Sequence, residues 1–338
     1  MKRKFLILSL TVALSIGMLT GCADKQTDPE GSQTEEQKDV TDGGGDSSTA
    51  ENSYSAQKRY DEKYSTCVLM GNELVKLKQS INAYYDYVDY TEEFRLIDGK
   101  EYAGLQEKVA GVNKQVLDRC LEAAAWQEGD EFTDLDRLIL GYGEQIRTLS
   151  DTFDSIHTDA GYGDNDYEKA ILWHKAVWEN GETIFNISME YAGLVKEMSL
   201  KQALEDEALL AQQGFLIQYN SSRALTIAQQ ILDLTVETGI WSDSHLVYDF
   251  TQIDALYEEL AAVVQGYDTA IADPAQLQKE SLTGYPFNQL LTNLRTSVER
   301  LSDSHKHGAP RENIMADLEF VRQTYNQCVE RYNSVFCE

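Results

Sequence analysis

Five cysteines and five histidines are the side chains of this 338-residue chain best suited to nucleophilic, redox or metal chemistry. The first cysteine closes Leu19-Thr20-Gly21-Cys22, where small residues leave the thiol open to lipidating and cleaving enzymes. Ahead of it stand Lys2, Arg3 and Lys4 and an apolar run from Phe5 to Leu19. A basic start followed by a short apolar run is a secretory signal, and this run falls below the ~20 residues that a membrane-spanning helix needs. The expectation is that residues 1–21 are a signal peptide and that Cys22 carries palmitate-type acyl chains. Each buried methylene contributes ~0.8 kcal/mol, so two or three such chains hold a domain at a bilayer surface.

Cys67, Cys120, Cys328 and Cys337 remain, an even number in a compartment that permits disulfides. Cys67 and Cys120 lie on apolar faces of neighbouring predicted helices, and Cys328 and Cys337 are close enough in sequence to close the C-terminal turn. Buried free thiols and other pairings stay open.

Of the histidines, His305-Lys306-His307 sits in a turn before Gly308. Two histidines so close share a metal only with further ligands, so His305 and His307 are weak metal candidates. The loop Asp159-Ala160-Gly161-Tyr162-Gly163-Asp164-Asn165-Asp166 has the composition of a calcium loop without its ligand spacing. Asp164 and Asp166 are weak cation candidates on that basis. More simply, Asp166 would cap the following helix, with Glu168 a favourable charge in its first turn. Ser55-Ala56-Gln57-Lys58 matches S-x-x-K without the partner motifs of serine acyl-enzymes. Zinc-protease, G-x-S-x-G, P-loop and Rossmann patterns are absent from the sequence, and carboxylates are too common in it to mark acid–base pairs. No cofactor is expected, and no catalytic residue is assigned.

The elements that must position these residues are helices. No proline lies between Pro29 and Pro274, and an interior proline costs a helix ~3 kcal/mol. Tyr60, Cys67, Leu74, Ile81 and Val88 recur every seven residues, with Met70, Leu77 and Tyr84 beside them. Tyr102, Leu105, Val109, Val112, Val116, Cys120 and Ala123 predict a second helix. Leu135, Leu138, Tyr142, Ile146, Leu149, Phe153 and Ile156 predict a third, capped by Thr133. A fourth carries Ala170, Ile171, Val177, Ile184, Ile187, Tyr191, Leu194 and Met198, and either breaks near Ser199 or runs through Leu209. Further helices are expected at about 215–238, 250–272, 286–305 and 310–335. The fold class is all-α, an up-and-down bundle of about eight helices over residues 57–338, with the first and last helices packed near each other. Tyr84, Tyr85, Tyr87 and Tyr90 crowd the end of the first helix, either closing the rim of the core or lining a cleft that stacks sugars or peptides.

Residues 22–56 hold the lipid-bearing cysteine and a stretch rich in Asp, Glu, Ser, Thr and Gly. That stretch buries too little apolar area to offset its ordering entropy and reads as a flexible linker. The formal net charge is −28, and loss of Lys2, Arg3 and Lys4 with the signal makes it −31. Such a field repels nucleic acid and anionic headgroups.

After the linker the chain resembles the YiiG-like bacterial lipoproteins, a family built on a domain of unknown function. The marks are Tyr64-Ser65-Thr66-Cys67, a second cysteine near Cys120, Asp164-Asn165-Asp166-Tyr167 leading through Lys169 to His174, and the closing Leu318–Val335 stretch with Tyr325-Asn326-Gln327 and Tyr332-Asn333-Ser334. The resemblance implies a lipid anchor and a helical domain and assigns no activity. It strengthens a Cys67–Cys120 bridge and leaves Cys328 and Cys337 outside its pattern.

Three functions follow in order of expectation. The first is a non-enzymatic, extracytoplasmic module, lipid-anchored to a bacterial membrane, that recognises a protein, peptide or glycan. The second is divalent-cation capture through Asp164, Asp166, His305 or His307. The third is a cell-envelope enzyme using carboxylates or His174.

Overall fold

The computed structural model describes residues 47–126, 129–159, 161, 166–237, 250–287 and 289–337. Among them the regular secondary structure is helical, with one isolated antiparallel bridge between Val88 and Leu96. The helices are α1 (Ser47–Tyr85), α2 (Tyr102–Gln106), α3 (Lys114–Ala124), α4 (Thr133–Thr158), α5 (Glu168–Gln213), α6 (Leu216–Glu237), α7 (Thr251–Ile271), α8 (Pro274–Lys279), α9 (Leu290–Lys306) and α10 (Arg311–Tyr332). None is long and apolar enough to cross a membrane. The signal, Cys22 and most of the linker lie outside the described residues, although α1 begins at Ser47, inside the stretch read as linker. That stretch has no proline beyond Pro29, and a helix nucleated by packing further on extends cheaply back through such residues.

The a/d stripe of α1 is the spine of the first core, where Cys67, Met70, Leu74, Leu77, Ile81 and Tyr84 are all buried. α1 packs against α3 and α5, and α4 closes the ring by packing against the same two helices. A second ring follows, in which α6 and α9 each pack against α7 and α10. The two rings have separate hydrophobic cores, one running from Tyr64 to Met198 and the other from Ile217 to Tyr332. The expected pairing of first and last helices is therefore not what holds the molecule together, because the buried stripes of α1 and α10 serve different cores. Short connections pair neighbours in sequence first.

Helix α5 joins the rings. It runs 46 residues without a break at Ser199, and its far end packs on α6. It stops at Gly214, whose positive φ of 68° lets its own N–H and that of Phe215 reach back to Leu210 O, the usual way of satisfying terminal helix carbonyls.

The second predicted helix is split. Residues 109–113 leave the helical path between α2 and α3, yet Val109 and Val112 stay buried. At Gly111 the backbone presses onto α4, where an added Cβ would lie 2.6 Å from Ser150 O. Val112 N–H then donates to Ser150 Oγ (2.9 Å), and Asn113 Oδ1 caps α3 by accepting from Gln115 N–H (3.0 Å). Thr133 does not cap α4. The chain arrives through a 3-10 turn (Asp130–Phe132), so Thr133 is already helical and its N–H bonds Asp130 O.

One cation is buried in the first ring. Lys63 Nζ bonds Asp136 Oδ2 (2.7 Å) and Trp126 O (3.0 Å) and lies 5.0 Å over the Phe132 ring.

Candidate functional site

The start of α5 carries Ile171, His174 and Trp178 at helical spacing, with Tyr167 at its cap position. The loop at 86–101, which leaves the end of α1, lies across it. Asp89 N–H to Arg95 O (2.8 Å) and Ile97 N–H to Tyr87 O (2.9 Å) fold this loop back on itself, and Asp89 pairs with Arg95 (3.1 Å). Phe94 from the loop stands between Tyr167 (centroids 5.9 Å apart) and His174 (5.8 Å). Tyr90 meets Trp178 edge-on at 5.2 Å and Tyr85 at 4.7 Å, and Tyr84 stands edge-on to Tyr85 at 5.4 Å.

His174 is the keystone, at 1% exposure. Its Nε2 lies 2.8 Å from Thr91 O, and a carbonyl only accepts, so Nε2 carries the proton. Nδ1 is then the acceptor for the Tyr84 hydroxyl at 2.9 Å. Burial, with Tyr102 and Tyr85 nearby, pushes the Tyr84 phenol well above its usual range, so that hydroxyl stays a donor. Tyr85 is pushed up to about 12, first by burial and then by Tyr90 and Glu182. With both ring nitrogens engaged, His174 ties the loop to the end of α1.

Outside this buried support, exposed aromatic and aliphatic side chains stand among the exposed charges of the loop, Glu92, Glu93, Arg95, Asp98 and Lys100. Tyr90 is 60% exposed, and Ile171 and Leu172 are 52% and 67% exposed. The arrangement offers ring faces and edges on a fixed frame, suited to stacking against a sugar ring or an apolar side chain. The crowded tyrosines were visible in the sequence. Trp178 and Phe94 belong to no motif, and the helical spacing of Ile171, His174 and Trp178 is the signal that marks the tryptophan.

The cation candidates are not brought together. Asp164 lies outside the described residues. Asp166 does not cap α5: it has a φ of 58°, and Tyr167, also left-handed at 66°, takes the cap position without a side-chain bond. Glu168 does lie in the first turn. In the same loop the Asp159 carboxylate is engaged by Lys169 (2.6 Å) and by Gly161 N–H (2.6 Å). The Lys169 hydrogen bond, more than the backbone one, holds Asp159 below the usual carboxylate range. His305 stacks on Phe250 with ring centroids 3.9 Å apart, while His307 Nδ1 lies 2.8 Å from Asp303 O. His307 lines a shallow depression of about 440 Å³ with Glu299, Arg300 and Asp303. Among the described residues no three His, Cys, Asp or Glu side chains are grouped to hold a metal ion.

Of the cysteines, Cys67 and Cys120 both lie in the first core as free thiols, with Tyr191 OH 3.6 Å from Cys120 Sγ. Cys328 is a buried free thiol in the second core, pushed up to about 12 by burial. The side chain of Cys337 lies outside the described residues.

Compared with known families, residues 58–334 match the one described as "Protein of unknown function (DUF3829)". Neither the curated proteins nor the solved structures gave a match.

Proposed function

We propose that this chain, which belongs to the DUF3829 family, is an extracytoplasmic binding module, lipid-anchored through Cys22, whose aromatic end docks glycan. The family carries no activity in its description. The anchor rests on the Leu19-Thr20-Gly21-Cys22 motif behind its basic and apolar leader and on the likeness to the YiiG-like lipoproteins. The docking reading rests on one observation: Tyr90, largely exposed, is held edge-on to Trp178 and Tyr85 by a loop that buried His174 fixes in place.

Three features favour sugar rings. The site is a surface rather than a deep cavity, its rings present apolar faces with hydroxyl tips, and the strongly negative chain excludes polyanions. Rings already ordered by packing lose little entropy when a ligand stacks on them.

The test is a tryptophan-fluorescence titration of the mature protein with soluble disaccharide fragments from muramidase-digested peptidoglycan. The expected result is saturable binding, weakened roughly 3- to 10-fold by Tyr90→Ala and again by Trp178→Ala, given ~0.5–1.5 kcal/mol per aromatic contact. Absence of saturable binding, or binding unchanged in both variants, would overturn the docking reading. Cys22→Ser should release the protein from the membrane fraction, and a variant that stays membrane-bound would overturn the anchor.

A further inference from the structure

The described residues hold two buried thiols facing each other from different helices, Cys67 on α1 and Cys120 on α3. The two side chains interact directly across the α1–α3 contact. The Tyr191 hydroxyl from α5 completes the cluster, 3.6 Å from Cys120 Sγ. All three residues are almost fully buried, so the pair sits where three helices of the first ring converge. Contact between the two side chains pulls the Cys67 thiol down, and the same contact, with burial, pushes Cys120 up.

We propose that Cys67 and Cys120 are a cross-linking pair, oxidised to a disulfide that staples α1 to α3. In the reaction two S–H bonds break and one S–S bond forms. The two electrons and two protons pass to a disulfide oxidant, either a small-molecule disulfide or an oxidised thiol oxidoreductase, which leaves as two thiols. Because the folded pair is buried, exchange takes place as the chain folds, when both sulfurs are still open to the oxidant. After oxidation the Tyr191 hydroxyl still has a sulfur acceptor. The loop enclosed by the staple contains the whole of 86–101, so the cross-link spans the base of the segment that carries Tyr90.

That an oxidant meets the chain in the cell rests on the extracytoplasmic reading; the pairing itself does not. The test therefore uses purified mature protein, refolded with oxidised and reduced glutathione, alkylated and digested with trypsin without reductant. The expected product is Tyr64–Lys76 joined to Cys120–Arg137, separated by reduction with a gain of two hydrogens. The oxidised protein should melt roughly 5–10 °C above the reduced form, and Cys67→Ala or Cys120→Ala should abolish that difference. Recovery of both peptides alkylated, or of Cys67 joined to Cys328 or Cys337, would overturn the pairing. The peptide map uses the unsubstituted chain, so it decides the matter even if a variant fails to fold. Membrane release of Cys22→Ser tests location separately, so either idea can fail alone.

Discussion

Glu280 caps α6 from across the second ring: its carboxylate accepts from Ile217 N–H at 2.7 Å and, through the other oxygen, from Gln218 N–H at 2.8 Å. A carboxylate at a helix N-terminus satisfies orphan amides and meets the positive end of the helix dipole. Next to it, Gln276 and Lys279 donate to Gly214 O (2.8 and 2.9 Å), so short α8 and the turn after it clamp the corner between α5 and α6.

Removing this clamp should loosen the corner. Glu280→Ala is expected to cost about 1–2 kcal/mol, read as a lower urea midpoint, and Glu280→Gln, which keeps one acceptor, should cost less. A midpoint unchanged in Glu280→Ala would show that the corner is held by packing alone.

Glu207 makes the same region sensitive to pH. It is buried on α5, accepting from Thr226 Oγ1 at 2.5 Å and facing Arg223 Nη1 at 3.4 Å, while Arg223 also pairs with Glu259. Ser222 Oγ lies 3.5 Å away. Burial outweighs the hydrogen bonds and the Arg223 charge, and the carboxyl sits above its ordinary 4.5. The folded state therefore takes up this proton more readily than the unfolded chain does. The group's contribution to stability grows as pH falls through the raised value toward 4.5 and is lost as pH rises back through it. Denaturation at stepped pH from 7 to 5 should show the unsubstituted chain gaining more stability on acidification than Glu207→Gln. Parallel curves would mean that this proton binds equally in both states. The comparison cancels the relief of like-charge repulsion that acid brings to the whole chain.

Loss of His174 should free the loop at 86–101. His174→Ala leaves the Tyr84 hydroxyl and the Thr91 carbonyl without these partners, and an unmet buried polar group costs about 1–3 kcal/mol. Amide exchange at Asp89 and Ile97 should quicken more than exchange in α10, which belongs to the other core. Equal protection in both proteins would show that the Val88–Leu96 bridge holds the loop unaided.

Local periodicity carried most of the fold. The seven-residue recurrence from Tyr60 to Val88 was legible because burial of one helix face is a local pattern, and each of those side chains lies in or against the first core. The same pattern fails at residues 109–113: the valines are buried as their spacing implies, but that spacing does not encode the close approach of Gly111 to α4, where the chain leaves its helix. Thr133 and Asp166 are good capping types in positions where the incoming backbone has already turned. The division into two cores was hidden because every stripe looks alike whichever partner it meets. At the aromatic end the tyrosines were plain, but the bond from His174 to Thr91 spans 83 residues, and no local spacing encodes it.

Helix α1 also settles a matter of reach. Its 39 residues rise about 58 Å from Ser47 to Tyr85, with the acidic leader joining at the lower tip and Tyr85 and Tyr90 gathered beyond the upper one. Whatever the chain is tethered to at its start, that length of rigid helix separates the tethered end of α1 from the rings at the other.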